Sequence, residues 1–205
     1  MKGVLLISTG IDSPVAGYLM MKQGVEVVGV HFKTLNSQDT KVISELVAHL
    51  SKLSGKKMKS YVIPKQEFHD IVDKNCDPHH HCVLCKRFLY MVAEKIAEKE
   101  GAEFIITGES MGQVASQTLD NLLVLSDATK LPIMRPLIGF DKEDTIKIAR
   151  QAGTYEISSQ AKGSCPYVPN KPSTSSKKEK ILIEESKINL EELVKKAVDE
   201  AVILK

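Results

Sequence analysis

Short apolar runs alternate with longer stretches whose apolar positions recur at helical spacing. The runs GVLLIS (3–8), VEVVGVHF (25–32), KSYVIP (59–64), EFIITGE (103–109) and IMRPLIG (133–139) are predicted strands. They are largely continuous in apolar character, as expected of strands covered on both faces. Between them lie SPVAGYLMMKQG, TKVISELVAHLSKLSG, CKRFLYMVAEKIAEKEG, SMGQVASQTLDNLLVL and DKEDTIKIARQAG, predicted helices, most with an N-cap candidate at the start or a glycine past the end. This β-α-β-α order predicts an α/β fold, a parallel five-stranded sheet flanked by helices and joined by right-handed crossovers. Ligands of such sheets gather at the carboxyl ends of the strands, so function is expected in the loops after residues 8, 32, 109 and 139. After Gly153 the pattern weakens into TYEISSQAKGSCPYVPNKPSTSS, then returns as two short helical stretches, the second being NLEELVKKAVDEAV. Residues 1–158 are therefore expected to form the main unit, with 159–205 a loop and helical C-terminal appendage to it. No internal repeat of fixed period is present.

Composition changes this picture little. With 42% apolar positions over 205 residues, the chain can bury a core unaided. No stretch approaches the run of about twenty apolar residues that a membrane helix needs, and Met1-Lys2 leads into GVLLIS without a cleavable signal. A cytoplasmic protein with no membrane association is expected. A net charge of +2 excludes a strong bulk basic field, so any RNA contact is local. Lys162, Lys171, Lys177, Lys178 and Lys180 make the Ser/Pro-rich tail the most basic part, a composition that a solvated linker shares. Four cysteines are too few for a disulfide framework; in a reducing compartment they are free, ligating or catalytic, or simply buried.

Two stretches carry chemistry. LLISTGIDSPVAGYLM places a small, hydroxyl-rich loop between a buried strand and a helix that Ser13 can cap and whose first turn suits Pro14. Free amides and the helix dipole there favour an anion, although neither G-x-x-x-x-G-K-[ST] nor G-x-G-x-x-G is present and an ordinary capped helix has the same pattern. NCDPHHHCVLCKR (75–87) contains C-x-x-C, which serves zinc, iron–sulfur and dithiol chemistry alike and supplies only two ligands. His79, His80 and His81 follow a loop-forming Asp-Pro and are expected to be exposed polar residues, not ligands.

Ser8 to Ser13, S-T-G-I-D-S, resembles the S-G-G-x-D-S loop of the PP-loop ATP pyrophosphatases, the Rossmann-like adenine nucleotide alpha hydrolase group. The runs STGIDSPVAGYLMMKQG, TGESMGQVASQTLDNL, LPIMRPLIGFDKEDTIKIARQAGTYEIS and CPYVPNKPST, in order from about residue 3 to 176, resemble the tRNA 4-thiouridine sulfurtransferases, also linked to thiamine thiazole synthesis. The resemblance implies that ATP adenylates the C4 oxygen of a tRNA uridine and that sulfur then displaces AMP. It implies that Asp12 orients Mg2+ and pyrophosphate, where a helix N-terminal acid is the plain alternative. Lys142 is implied in adenylation; as an ordinary first-turn lysine it would be slightly unfavourable. Implied ATP contacts are Leu6, Ile7, Ser8, Thr9, Gly10, Asp12, Ser13, His31, Phe32, Arg87, Gly108 and Gln117, residues that otherwise default to core, cap, turn or surface. Lys86, beside Arg87, is also basic. Thr9 stands where the family has glycine, and a β-branched residue there is expected to distort the loop.

The same resemblance makes Cys165 the catalytic cysteine. With Cys82 and Cys85 it matches members in which three cysteines hold an iron–sulfur cluster, [4Fe-4S] or [3Fe-4S], that carries sulfide. Structural zinc on the same three cysteines with a histidine or Cys76, and a low-pKa dithiol at a helix N-terminus, are the alternatives. The ferredoxin-like, THUMP and rhodanese modules of the family are expected to be absent. A separate THUMP-type subunit is therefore expected to grip tRNA, a separate donor to supply sulfur, and the chain to form a homodimer. The expected function is the catalytic domain of an ATP-dependent tRNA uridine sulfurtransferase making 4-thiouridine. An ATP-binding accessory subunit with structural zinc and a thiolation enzyme for a small metabolite are the alternatives.

Overall fold

A computed structural model describes residues 1–33, 37–161 and 165–204; Lys162 of the basic tail lies outside the described residues. Strands β1 (Lys2–Leu6), β2 (Glu26–Lys33), β3 (Ser60–Pro64), β4 (Phe104–Ile106) and β5 (Ile133–Met134) are parallel. A sixth, β6 (Val202–Ile203), adds antiparallel to β3, giving the order β5-β4-β1-β2-β3-β6. The helices are α1 (Asp12–Lys22), α2 (Ser37–Ser54), α3 (Gln66–Asn75), α4 (His81–Glu100), α5 (Leu119–Ser126), α6 (Lys142–Gln151), α7 (Tyr155–Ser158), α8 (Lys178–Glu185) and α9 (Leu190–Asp199).

Alternation along each strand sends neighbouring side chains to opposite faces. Val4, Val28 and Ile105 pack with α3, α4, α5, α8 and α9, whereas Leu5, Val27 and Ile106 pack with α1, α2 and α6. In α2, Val42, Ile43, Leu46, Val47 and Leu50 make the buried stripe that its 3.6-residue period requires. Each fully buried aliphatic side chain contributes about 1.5–3 kcal/mol. Helix α4 stops at Gly101, whose φ of 65° is the left-handed conformation that glycine adopts without a Cβ penalty.

The pattern missed α3 (Gln66–Asn75) and erred elsewhere as well. Among the described residues the sheet has six strands, because Val202, read as the end of a helix, and Ile203 after it pair with Val62 and Tyr61. The run 133–139 is a strand for two residues only: Pro136 has no N–H to donate, and Ile138 N–H turns back to the Arg135 carbonyl at 3.1 Å. The helix expected from Ser110 begins at Leu119, capped by Thr118 Oγ1, after a turn at Gly112.

Sheet order reverses at β1, which pairs with β2 on one side and β4 on the other. The crevice at the carboxyl ends of β1 and β4 is therefore the topological switch point where a ligand is expected.

Candidate functional site

The loop after β1 is held by its own hydroxyls. Ser8 N–H donates to Ser13 Oγ at 2.8 Å, the two hydroxyls lie 3.0 Å apart, and Gly10 N–H donates to Ser8 Oγ at 3.3 Å. Ser13 is thus not the N-cap the sequence suggested: α1 begins at Asp12, with Ser13 inside its first turn, and no side chain caps it. The start of α1, just after β1, has no side-chain cap, an arrangement that attracts anions. Thr9 causes no backbone strain, since no non-glycine residue among those described has positive φ. The loop closes without the left-handed conformation that glycine would have allowed.

Gly108, after β4, presses on the same turn. A Cβ there would lie 2.5 Å from Ser13 N and 2.7 Å from the Asp12 carbonyl carbon, so only glycine permits this approach. From the far side, Lys142 opens α6, whose N-cap Asp141 accepts from Asp144 N–H at 2.8 Å. Lys142 Nζ donates to Asp12 Oδ1 at 2.6 Å, across 130 residues of sequence. Both side chains remain solvent-accessible, 46% and 27% exposed, so the pair is free to exchange partners. Ser158 of α7, which sequence reading missed, donates from Oγ to the Gly10 carbonyl at 3.4 Å.

Leu6 ends β1 and Ile7 follows it, beside His31 and Phe32 of β2. His31 Nδ1 donates to the Ile7 carbonyl at 3.1 Å, and burial lowers its pKa, leaving a neutral ring whose Nε2 has no partner among the described residues. Gln117 Oε1 is likewise buried and unpartnered. Leaving such an atom unsatisfied costs about 1–3 kcal/mol, a cost that a bound polar ligand removes. Phe32 lies in the core, edge-on to Phe88 at 6.2 Å.

Arg87 departs from expectation. Its guanidinium is buried, donating from Nε to Glu185 Oε1 at 2.6 Å and from Nη1 to the Val124 carbonyl at 2.5 Å, so it locks α8 and α5 onto α4. The neighbouring Lys86 faces the crevice side instead, donating to Glu109 Oε1 at 2.9 Å. Glu109, also missed, accepts from Tyr90 Oη at 2.6 Å, Arg135 Nε at 2.8 Å and Thr107 Oγ1 at 3.2 Å as well. Burial pushes its carboxyl up, but the Lys86 charge and the hydrogen bonds of Tyr90, Lys86 and Arg135 prevail and hold it at about 2. An acid closing a predicted buried strand was its only signal.

The thiols form a second region, at the start of α4. Cys82 and Cys85 are half-buried and Cys165 is exposed. Burial, then the charges of Cys85 and Cys165, push Cys82 up to about 11. Burial also raises Cys85, with Lys65 opposing and Cys165 adding. A low-pKa dithiol is therefore not what this helix start makes. Cys76 is committed elsewhere, its buried Sγ donating to the Glu184 carbonyl at 3.5 Å. Among the described residues no three His, Cys, Asp or Glu side chains are placed to enclose a metal ion. Soft sulfur donors such as these fit a metal that binds thiolates, with Cys165 close enough for its charge to act on the other two. Of the histidines, His79 is exposed as expected, but His81 is buried against His69, because Asp73 and His69 satisfy both of its ring nitrogens.

No helix among the described residues is long and apolar enough to cross a membrane. A family model described as thiamine biosynthesis protein (ThiI) matches residues 1–190. A probable tRNA sulfurtransferase of Acetivibrio thermocellus is 39% identical over 99% of this chain and 53% of its own length. Another from Methanosarcina mazei is 40% identical over 100% and 51%. The chain thus spans about half the length of these relatives. The crystal structure of a 4-thiouridine synthetase–RNA complex with bound ATP superposes with a TM-score of 0.94 at 33% identity, covering 100% of this chain and 55% of that one.

Proposed function

The chain belongs to the thiamine biosynthesis protein (ThiI) family, and from that premise we propose that it is the catalytic domain of an ATP-dependent tRNA uridine sulfurtransferase making 4-thiouridine. The observation that carries the proposal is the Lys142–Asp12 pair at 2.6 Å, which joins the two residues implied in adenylation beside the uncapped start of α1.

ATP phosphates would lie on the Ser8–Ser13 loop, with Thr9 and Gly10 at its tip. Mg2+ is commonly held by one or two carboxylates and substrate phosphates, and Asp12 supplies such a carboxylate. Leu6, Ile7, His31, Phe32, Gly108 and Gln117 would border the nucleoside, with His31 Nε2 and Gln117 Oε1 gaining partners. Lys142, released from Asp12, would neutralise charge developing on the phosphates. The uridine C4 oxygen attacks the α-phosphorus, the bond to the β-phosphate breaks, pyrophosphate leaves and the N3 proton is lost. Hydrosulfide then adds at C4, the C4–O bond breaks, AMP departs and the sulfur's proton returns to N3. Cys82, Cys85 and Cys165 would hold an iron–sulfur cluster, [4Fe-4S] or [3Fe-4S], which supplies sulfide when bound; zinc is the alternative occupant. A separate THUMP-type subunit would present the tRNA, a separate donor would bring sulfur, and the chain would act as a homodimer in the cytoplasm.

The accessory-subunit reading drew on a distorted loop, and the unstrained backbone at Thr9 favours the enzyme. Anaerobic protein reconstituted with iron and sulfide, given ATP, Mg2+, unmodified tRNA and a THUMP-type RNA-binding subunit, is expected to yield 4-thiouridine and equimolar pyrophosphate. Pyrophosphate release without thiolated nucleoside, or thiolation confined to small molecules of a metabolite extract, contradicts the assignment.

A further inference from the structure

Tyr167 anchors the 165–168 segment. Cys165, Pro166 and Val168 are exposed, whereas Tyr167 is half-buried and stacks on the His69 ring at 3.7 Å between centroids and 7° between planes. Tyr167 Oη donates to Gln66 Oε1 at 2.7 Å. The surface beneath it is built from side chains of α3 and α4. His81 Nδ1 donates to Asp73 Oδ1 at 2.8 Å, a partner that makes its Nε2 the acceptor. His69 Nδ1 then donates to His81 Nε2 at 2.8 Å, and the two rings lie within 9° of parallel. Both imidazoles are buried, so two hydrogen bonds and the core fix their planes. Downstream, Ser173 N–H donates to the His79 carbonyl at 2.9 Å and anchors the segment again.

The chemistry lies at the neighbours of these residues. Tyr167 is two positions after Cys165, and His81 immediately precedes Cys82. One stack of three rings therefore sets the places of thiols that are far apart in sequence. We propose that Tyr167 is the positioning residue for Cys165: seated on the His69–His81 platform, it holds the exposed cysteine segment against Cys82 and Cys85. The stack explains two histidines that the proposed reaction leaves without a role. It rests on the reading of the three cysteines as one working set.

The test is oxidation of the full chain, free of metal, by diamide, with Cys165–Cys82 and Cys165–Cys85 disulfides quantified by peptide mapping. Tyr167→Ala is expected to slow these crosslinks at least tenfold, and Tyr167→Leu, which keeps bulk without a ring, to do the same. Tyr167→Phe keeps the stack and is expected to stay within about twofold of the wild type. Buried Cys76, unreactive to maleimide throughout, reports an intact fold. Crosslinking of both Tyr167→Ala and Tyr167→Leu at the wild-type rate, or equal slowing of Tyr167→Phe, overturns the proposal. Crosslinking needs neither ATP nor RNA. Wild-type protein that crosslinks yet never thiolates tRNA contradicts the proposed function and leaves this positioning role intact.

Discussion

The loop after β1 and the thiol region at the start of α4 are held by different kinds of interaction. In the loop, Ser8, Gly10 and Ser13 bond among residues no more than five apart, and one long-range ion pair, Lys142 to Asp12, completes the arrangement. The thiol region is assembled from α3, α4 and the segment after residue 165, through stacked rings and buried imidazoles. A locally closed loop forms whenever its strand and helix form. The thiol set, in contrast, depends on elements distant in sequence being docked, so perturbations should reach the two regions by different routes.

Glu109 lies between them, joined to Lys86 one residue after Cys85 and to Arg135 after β5, and it follows Gly108 directly. Removing it strands two partly buried cations, so Glu109→Ala is expected to cost about 3–5 kcal/mol in urea unfolding and to disturb both regions together. Its carboxyl, held at about 2 against an ordinary 4.5, contributes stability that is complete above pH 4.5 and lost as pH falls toward 2, roughly 3 kcal/mol in all. The wild type should show that acid loss and Glu109→Ala should not.

Arg87→Ala separates the regions. It leaves Glu185 without its buried partner and frees α8, at a cost of about 3 kcal/mol. Chemical denaturation should report that loss, while ATP affinity measured in native buffer stays unchanged; an equal loss of ATP affinity would return Arg87 to the nucleotide site. Gly108→Ala acts in the other direction. Its methyl would strike the backbone of Asp12 and Ser13, with an overpacking cost of about 1–3 kcal/mol. ATP binding by calorimetry should weaken while diamide crosslinking of Cys165 is unchanged. Ser13→Ala removes the acceptor of Ser8 N–H and should cost about 1 kcal/mol in thermal unfolding, with a small rise in the ATP dissociation constant.

The same contrast explains what the sequence revealed. The five parallel strands and the loop after β1 follow from apolar runs and local spacing, which are properties of contiguous residues. Two-residue β6 escaped because its pairing with β3 is set across 140 residues, from Val62 to Val202, and no short-range pattern encodes it. Arg87 and Lys86 are adjacent, and a helix turns neighbours by about 100°, so only packing decides that Arg87 enters the core while Lys86 meets Glu109. Likewise His81 resembles His79 and His80 in sequence but is buried by partners from α3. Resemblance supplied the pairing of Asp12 with Lys142 as actors in one step; spacing alone could not have joined them.

The most direct test is pyrophosphate release from ATP with unmodified tRNA and its RNA-binding partner present, wild type against Lys142→Ala and Lys142→Arg. Lys142→Ala is expected to lower the single-turnover rate by about 10²–10³-fold, the scale of losing one charge-stabilising donor, with ATP affinity changed far less. Lys142→Arg should recover only part of it, since a guanidinium is a planar fork and not a point charge. Pyrophosphate release by Lys142→Ala at the wild-type rate would contradict the assignment of adenylation to the Asp12–Lys142 crevice.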